Sequence, residues 1–161
     1  MIQDFKNLRL GKFSNIAFTK LICFIILILF SCSQKSNIYV SSCDKGRVYQ
    51  KIKLDYLLKN IDNFRGKYVE VEGEYIVGFE ESALCVGSNK ERALWVDFDD
   101  FVYVCPLISS KTKMNLFGKE QAYKDMYNKT LILHGQIDVN EKGHLSHYKA
   151  SIKNITLVIL E

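Results

Sequence analysis

Hydrophobic and polar residues alternate over two long segments of the chain, residues 69–77 and residues 130–139. A period of two places successive side chains on opposite faces of a strand. The first segment therefore predicts a half-buried strand whose outer face is acidic. Its expected buried residues are Val69, Val71, Tyr75 and Val77, and its expected exposed residues are Glu70, Glu72 and Glu74.

Shorter segments complete the predicted secondary structure. Apolar positions at helical spacing predict a leading helix over residues 51–60, while residues 99–118, which include the only proline, have no regular pattern. Gly73, inside the first strand, suits the sharp coiling that a small barrel needs. The other predicted elements are strands at 83–86 and 93–98 around a polar hairpin loop at 87–92, a helix near 118–129, and strands at 130–139 and 148–160.

The order of these elements is three strands, a helix and two strands. This is the order of the five-stranded OB barrel. A β-sandwich is the competing architecture, but it usually has seven or more strands. The sequence therefore predicts an all-β fold with one or two short helices, arranged as a five-stranded OB-like barrel.

The first 32 residues have the pattern of an export signal. Four scattered cations precede the apolar segment 21–30, and small residues follow it at once. Ten residues of helix span roughly 15 Å, about half of the hydrocarbon core of a bilayer. This segment is therefore too short for a permanent transmembrane helix.

The end of the apolar segment is more specific. Leu29-Phe30-Ser31-Cys32 resembles the lipobox of bacterial lipoproteins, although Phe30 stands where a smaller side chain is usual. The resemblance implies that Cys32 receives a diacylglyceryl group and becomes the first residue of the mature chain. Ser31 and Ser33 also fit ordinary signal peptidase, which would release a soluble exported protein. The expected organisation is a signal peptide at 1–31, a lipidated cysteine and flexible polar tether at 32–46, and a folded domain at 47–161.

The net charge of +4 belongs mostly to the signal. Residues 1–32 hold four basic residues and one acid, so residues 33–161 carry 18 basic against 17 acidic residues. Proteins that bind single-stranded nucleic acid through phosphates need a groove of excess cations. The nearly neutral domain therefore argues against a nucleic-acid partner.

Four residues are candidates for ligand binding. Trp95 and Asp97 share the outer face of a predicted strand, where an indole beside a carboxylate suits a planar ligand such as a base or a sugar ring. The alternative is that Trp95 packs beneath the irregular segment 99–118. A solvated turn is the default for Glu80, but Glu80 placed opposite an arginine or His144 would fix the mouth of the barrel. We therefore single out Trp95, Glu80, Asp97 and His144.

The sequence gives no sign of catalytic chemistry. His134, His144 and His147 invite a metal site completed by Glu80 or Asp97, but an extended chain points His144 and His147 to opposite faces. The chain contains no G-x-S-x-G, H-E-x-x-H, Walker or C-x-x-C motif. We expect no catalytic residues, no metal site and no cofactor, and keep a small exported metal-dependent enzyme as an alternative.

Five cysteines constrain the compartment and the pairing. Cys23 would be removed with the signal and Cys32 would be lipidated, so Cys43, Cys85 and Cys105 remain, an odd number in an oxidising compartment. Cys85 lies on a predicted strand and Cys105 in the irregular segment. A disulfide between Cys85 and Cys105 is the expected pairing, and three free thiols are the alternative.

Four short segments follow one another along the chain: F-R-G-K-Y-V-E-V-E-G at 64–73, G-F-E-E-S-A-L at 78–84, A-L-W-V-D-F at 93–98 and K-G-H-L-S-H at 142–147. Together and in this order they resemble a family of uncharacterised exported bacterial proteins of OB-like type. In the family pattern a glycine follows G-H-L, where this chain has Ser146. The resemblance covers roughly 100 residues, and it implies a fold and an exported compartment but no activity.

These observations together predict a noncatalytic binding or structural module in the bacterial cell envelope. The expected membrane contact is a lipid anchor on Cys32, with the periplasmic side favoured. An envelope protein or a glycan is the expected partner. A nucleic-acid-binding OB domain stays as an alternative function, to be separated from the first by its surface charge.

Overall fold

The computed structural model describes residues 36–87, 89–118 and 122–161, and within this part the fold is all-β with short helices, as predicted. The predicted signal peptide and Cys32 lie outside the described residues. The strands are β1 Asn37–Ser41, β2 Gln50–Lys53, β3 Tyr68–Gly78, β4 Glu81–Val86, β5 Asn89–Val96, β6 Leu107–Ser109, β7 Thr130–Asp138 and β8 Ser151–Leu160. The helices are α1 Leu54–Lys59, α2 Asp99–Val104 and α3 Ala122–Met126, with 3₁₀ turns at Ile61–Phe64 and His144–Ser146.

Five of the strands pair in a closed ring. β3 pairs with β4, β4 with β5, β8 with β7, and β7 with β3, all antiparallel. The ring closes where β5 runs parallel to β8, with Trp95 opposite Ser151 and Val96 opposite Ile152. The main hydrophobic core includes the inward side chains of these strands, among them Val69, Tyr75, Leu84, Leu94, Leu133, Ile152 and Val158.

The alternating pattern of β3 is confirmed over most of its length. Val69, Val71 and Tyr75 are buried, and Glu72 is exposed. The pattern breaks at Ile76, which is buried on the opposite face from Tyr75. There Ile76 joins Ala83, Cys85 and Ala93 in a second apolar cluster that Tyr148 covers from outside. The outer face of the sheet is therefore shielded from solvent around Ile76. Glu70, Glu74 and Val77 of β3 are only partly buried.

Gly73 lies where β3 changes partners on one of its edges. β3 pairs with β2 up to Glu72 and with β4 from Glu74 onwards. A Cβ atom at Gly73 would lie 2.9 Å from Leu54 Cδ2 and 3.0 Å from the carbonyl oxygen of Cys85. The glycine therefore lets α1 and β4 approach the bent strand closely.

The N-terminal boundary of the domain differs from the prediction. β1 pairs with β8 from Asn37 opposite Leu160 to Val40 opposite Leu157, and β6 pairs with the other edge of β1. The prediction of a flexible tether through residue 46, with a domain beginning near Arg47, is therefore wrong, because β1 already belongs to the folded sheet. β1 has only five residues and lies in a polar, serine-rich segment, so its own sequence does not indicate a strand. It is stabilised by its partners in the sheet.

The predicted disulfide is also wrong. Cys43 bonds to Cys105, with 5.6 Å between their Cα atoms, and Cys85 is a free thiol. Cys85 lies on β4 with its side chain in the second apolar cluster, on a different part of the sheet from Cys105. Cys43 reaches Cys105 because β1 carries it there: the hydroxyl of Ser41 donates to the carbonyl of Cys105 at 3.1 Å.

Three local assignments also change. The predicted helix at 51–60 begins only at Leu54, because the residues before it form β2. The predicted hairpin loop at 87–92 is shorter, because β5 begins at Asn89. The segment 99–118 is not wholly irregular, since α2 and β6 form within it. β2, α2 and β6 are too short for a periodic pattern to be seen, and they are stabilised by tertiary contacts.

Removal of the disulfide should destabilise the domain strongly. It closes a loop with a sequence separation of 62 residues, which corresponds to about 4 kcal/mol of lost chain entropy in the unfolded state. We expect Cys43→Ala combined with Cys105→Ala to lower the free energy of unfolding in urea by up to this amount. Cys85→Ala is the matched control and should cost less. Equal losses in both variants would contradict the prediction.

Candidate functional site

A groove of about 360 Å³ lies where β3 turns into β4 and β5 ends. Three of the four predicted ligand-binding residues, Trp95, Glu80 and Asp97, line it together with Tyr123 from α3. The turn after Gly78 contributes Glu80, and the end of β5 contributes Trp95 and Asp97. The β3–β4 turn and the end of β5 therefore bring Glu80, Trp95 and Asp97 to one groove.

Trp95 packs against the connection between β7 and β8. Its ring lies 5.3 Å from the ring of Tyr148, at an interplanar angle of 51°. The backbone of Gly143 lies flat against the indole, since a Cβ atom there would be 2.5 Å from Trp95 Cδ2. The sequence also allowed Trp95 to pack beneath segment 99–118. These contacts instead place it against the connection between β7 and β8. The indole is partly covered by residues 143–148, and its remaining surface lines the groove.

The fourth predicted residue joins the site through an ion pair. His144 Nε2 lies 2.9 Å from Glu80 Oε2, with both side chains partly exposed. This is one of the contacts that the sequence predicted for Glu80. It connects the β3–β4 turn to the β7–β8 connection, two loops that are far apart in the chain. The groove is therefore bordered by two loops that contact each other through these side chains.

Unusual backbone conformations cluster in these two loops. Glu80 has a φ of 60°, Leu145 of 51° and Ser146 of 57°, all in the left-handed region that side chains with a Cβ rarely adopt. Ser146 adopts a conformation that glycine, without a Cβ atom, would adopt without strain. The loops also expose two large apolar side chains, Phe79 at 93% and Leu145 at 74%. Such strained, exposed loops are typical of functional sites.

The polar groups beneath the groove have structural roles. The hydroxyl of Ser82 donates to the carbonyl of Val96 at 2.8 Å, and the hydroxyl of Tyr75 lies 2.9 Å from Ser82 Oγ. Burial raises the pKa of Tyr75 well above its ordinary value, so the phenol stays protonated. A serine that donates to a backbone carbonyl has no base to activate it. These groups give the groove a fixed floor.

Three carboxylates line the groove, those of Glu80, Glu81 and Asp97. His144 lies 2.9 Å from Glu80 and Lys90 lies 3.0 Å from Glu81. The pKa of Lys153 is raised chiefly by its hydrogen bond to Asp138 and also by the charge of Asp97. Carboxylates accept hydrogen bonds from hydroxyl and amine groups and repel phosphates. The arrangement of carboxylates around Trp95 and Tyr123 therefore suits a ligand that combines a flat apolar face with hydroxyl or amine donors.

The side chains of the other two histidines have different neighbours from that of His144. His134 on β7 contacts Glu70 at 2.8 Å and stacks on Tyr49 with 4.2 Å between ring centroids. His147 lines a different groove, together with Tyr148 and Lys149. Within the described part of the chain, no group of three or more histidine, cysteine or acidic side chains is arranged to hold a metal ion.

The contacts of His134 form a polar cluster that the sequence did not reveal. Lys51 Nζ lies 2.8 Å from Glu70 Oε1, and this hydrogen bond, with that of His134, lowers the pKa of Glu70. The hydroxyl of Tyr49 lies 2.7 Å from Thr156 Oγ1. Tyr49 and Lys51 come from segments outside the predicted strands, so only the pairing of β2 with β3 brings them here. The cluster joins β2, β3, β7 and β8 and lines no part of the groove.

Two larger grooves lie elsewhere on the surface. One of about 850 Å³ is polar and borders α1 and residues 139–149, with Lys59, Arg65 and Lys142 among its lining. The other, about 770 Å³, lies between β2 and the end of β4. Neither contains Trp95, Glu80 or Asp97, so size alone does not identify the site. We base the assignment on the aromatic and carboxylate groups that converge around Trp95.

Comparisons with protein-family models, curated proteins and solved structures found no match for this chain. In the part of the chain that is described, no helix combines the length and apolar character needed to cross a membrane. The assignment of the site rests on the residues that line the groove.

Gly143 should be essential for the contact with Trp95. Gly143→Ala places a methyl group within the van der Waals radius of the indole, and we expect a loss of roughly 1–3 kcal/mol from overpacking, with a red shift of Trp95 fluorescence. Gly46→Ala is the matched control, because Gly46 has the same φ of 66° and no atom within 4 Å of its added Cβ. Equal unfolding free energies and unchanged fluorescence in both variants would contradict the assigned packing.

Proposed function

We propose that this chain is a bacterial lipoprotein whose exported OB-like barrel is a noncatalytic binding module. In this proposal Cys32 carries the lipid anchor, the cell envelope is the compartment, and the groove beside Trp95 holds an envelope glycan or a segment of an envelope protein. Catalysis, a resident metal and a cofactor are not part of the proposal.

The pairing of the strands supports the OB-like barrel. If the ring strands are numbered in chain order from β3, their order around the ring is first, second, third, fifth, fourth, and back to the first. A helix, α3, stands between the third and fourth of these strands. A five-stranded Greek-key ring with this helix is the arrangement of the OB fold.

The observation that carries the binding function is the ion pair between Glu80 and His144. OB folds bind oligosaccharides and oligonucleotides on the face of their second and third strands, between the loop after the first strand and the loop before the last. Here those loops are the β3–β4 turn and the β7–β8 connection. The ion pair joins them beside Trp95, which lies on the third strand of the ring.

The chemistry of the groove favours a glycan over a nucleic acid. A sugar ring can stack on an indole and donate its hydroxyl groups to carboxylates. A nucleic-acid strand would bring phosphates towards Glu80, Glu81 and Asp97, which repel them. The described residues that line this groove include no lysine or arginine, which disfavours the nucleic-acid alternative at this face.

The disulfide supports an exported compartment. Structural disulfides persist in secreted and envelope proteins and are rare in the reducing cytosol. Cys43 and Cys105 form one within the described domain. This agrees with a signal at the N-terminus, whose cleavage and lipidation remain to be tested directly.

The anchor can be tested at Cys32. Cys32→Ser should move the protein from the membrane to the soluble fraction or leave the precursor uncut, because the acyl chains can no longer be attached. Cys23→Ser, within the signal, is the matched control and should change neither fractionation nor processing. A wild-type mature chain that begins at Gln34 and carries no lipid mass would refute the lipoprotein.

The groove can be tested by titration with two classes of probe. We expect soluble peptidoglycan oligosaccharides to change Trp95 fluorescence, and labelled single-stranded oligonucleotides to show no submicromolar binding at about 150 mM salt. Asp97→Asn should weaken the oligosaccharide response, whereas Asp125→Asn, on α3, is the control and should not. Submicromolar oligonucleotide binding that weakens steeply with salt would place the nucleic-acid alternative first.

A further inference from the structure

A short turn follows β6 and exposes two lysines and a methionine. It covers residues 110–115, with the sequence S-K-T-K-M-N, and it contains no acidic residue. Lys111, Lys113 and Met114 are exposed, Met114 at 43%. The turn therefore presents cationic and apolar side chains together.

Hydrogen bonds at its base hold this turn in place. The backbone amide of Ser109 donates to the carbonyl of Met114 at 2.8 Å, and the amide of Thr112 donates to Ser109 Oγ at 3.1 Å. The amide of Met114 donates to Thr112 Oγ1 at 3.4 Å. The lysines are thus carried by an ordered backbone.

The turn lies beside the point where the N-terminal segment joins the sheet. The amide of Ser110 donates to the carbonyl of Ile38 at 2.9 Å, and Lys111 Nζ donates to the carbonyl of Ser36 at 2.8 Å. Asn37 begins β1 and lies opposite Leu160 at the end of β8. The turn, the start of β1 and the end of β8 therefore form one edge of the domain.

The length of the chain keeps this edge close to the proposed anchor. Five residues lead from Cys32 to Asn37, and a fully extended chain of that length spans at most about 18 Å. An acylated Cys32 lies at the membrane surface, so the start of β1 cannot lie much farther from the headgroups than this. The edge that carries Lys111 and Lys113 is therefore held near the bilayer.

We propose that the turn at residues 110–115 docks on the phosphate headgroups of the bilayer that holds the anchor. Lys111 and Lys113 contact headgroup phosphates, and Met114 lies against the apolar boundary below them. This inference rests on the proposed lipidation of Cys32. The turn thus acts as a second, weaker membrane contact that orients the domain.

β8 relates the position of the groove to that of the turn. Val96 lies opposite Ile152 near the start of β8, whereas Asn37 lies opposite Leu160 at its end. Eight residues of an extended strand separate these positions by roughly 25 Å along β8. The end of the groove that holds Trp95 therefore lies at the other end of β8 from the turn, whereas its wall of Phe98 and Tyr123 packs against Phe117, two residues after the turn.

The test uses the full lipidated chain in vesicles that carry a nitroxide quencher on their headgroups. Trp95 is the only tryptophan, so Trp95→Phe gives a silent background. Into it we place Met114→Trp, at the proposed contact, or Phe79→Trp, a control beside the groove that is more exposed than Met114. We expect strong quenching at position 114 and little at position 79. Equal quenching at both positions, or stronger quenching at 79, would overturn the proposal.

A second set of variants tests the charge. In the Met114→Trp protein, Lys111→Gln with Lys113→Gln should reduce docking on phosphatidylglycerol vesicles by on the order of 25-fold, or about five-fold per lysine. Lys142→Gln with Lys149→Gln, in the β7–β8 connection, is the matched control and should leave docking unchanged. Equal effects of the two pairs would overturn the role of the turn.

Flotation and mass spectrometry of the same samples separate the two proposals. A chain that floats with vesicles and carries lipid on Cys32, but shows no quenching at position 114, refutes the docking alone. A chain that neither floats nor carries lipid refutes the lipoprotein, and the docking with it.

Discussion

The parallel contact between β5 and β8 is the constraint on which the rest of the structure depends. Only two residue pairs make it, Trp95 with Ser151 and Val96 with Ile152, yet they turn an open sheet into a closed ring. They also place the end of β5 beside the start of β8. The loops that border the groove meet at this closure, so the candidate site and the closure of the fold occupy the same place. A change that separates these strands would therefore affect stability and binding together.

One edge of β8 is shared by two strands, which explains how the N-terminal part joins the domain. β5 pairs with the first residues of that edge and β1 with the last. After β5 the chain forms α2 and then β6, which pairs with β1. The disulfide bond from Cys43 to Cys105 links β1 to the segment that holds α2 and β6. The disulfide thus stabilises the part of the sheet that lies outside the ring.

The sequence predicted the features that depend on long local patterns. The alternation in β3 and β7 identified the strands because each has one face in the core. The outer-face position of Trp95 and Asp97 followed from the same alternation in β5. β1 and the partner of Cys105 could not be predicted, because a strand of five residues and a disulfide both depend on contacts distant in the chain. Burial of Ile76 on the outer face was missed for a similar reason, since Tyr148 comes from more than 70 residues away.

Cys85 has a consequence for how long the native disulfide lasts in an oxidising environment. Thiol–disulfide exchange requires a thiolate that can reach a disulfide sulfur. Cys85 is fully buried beneath the second apolar cluster, and burial raises the pKa of its thiol. In the folded domain it can therefore neither ionise readily nor attack the bond between Cys43 and Cys105. Once the domain unfolds, the same thiol becomes an internal nucleophile, so an unfolded chain would lose its correct pairing by reshuffling.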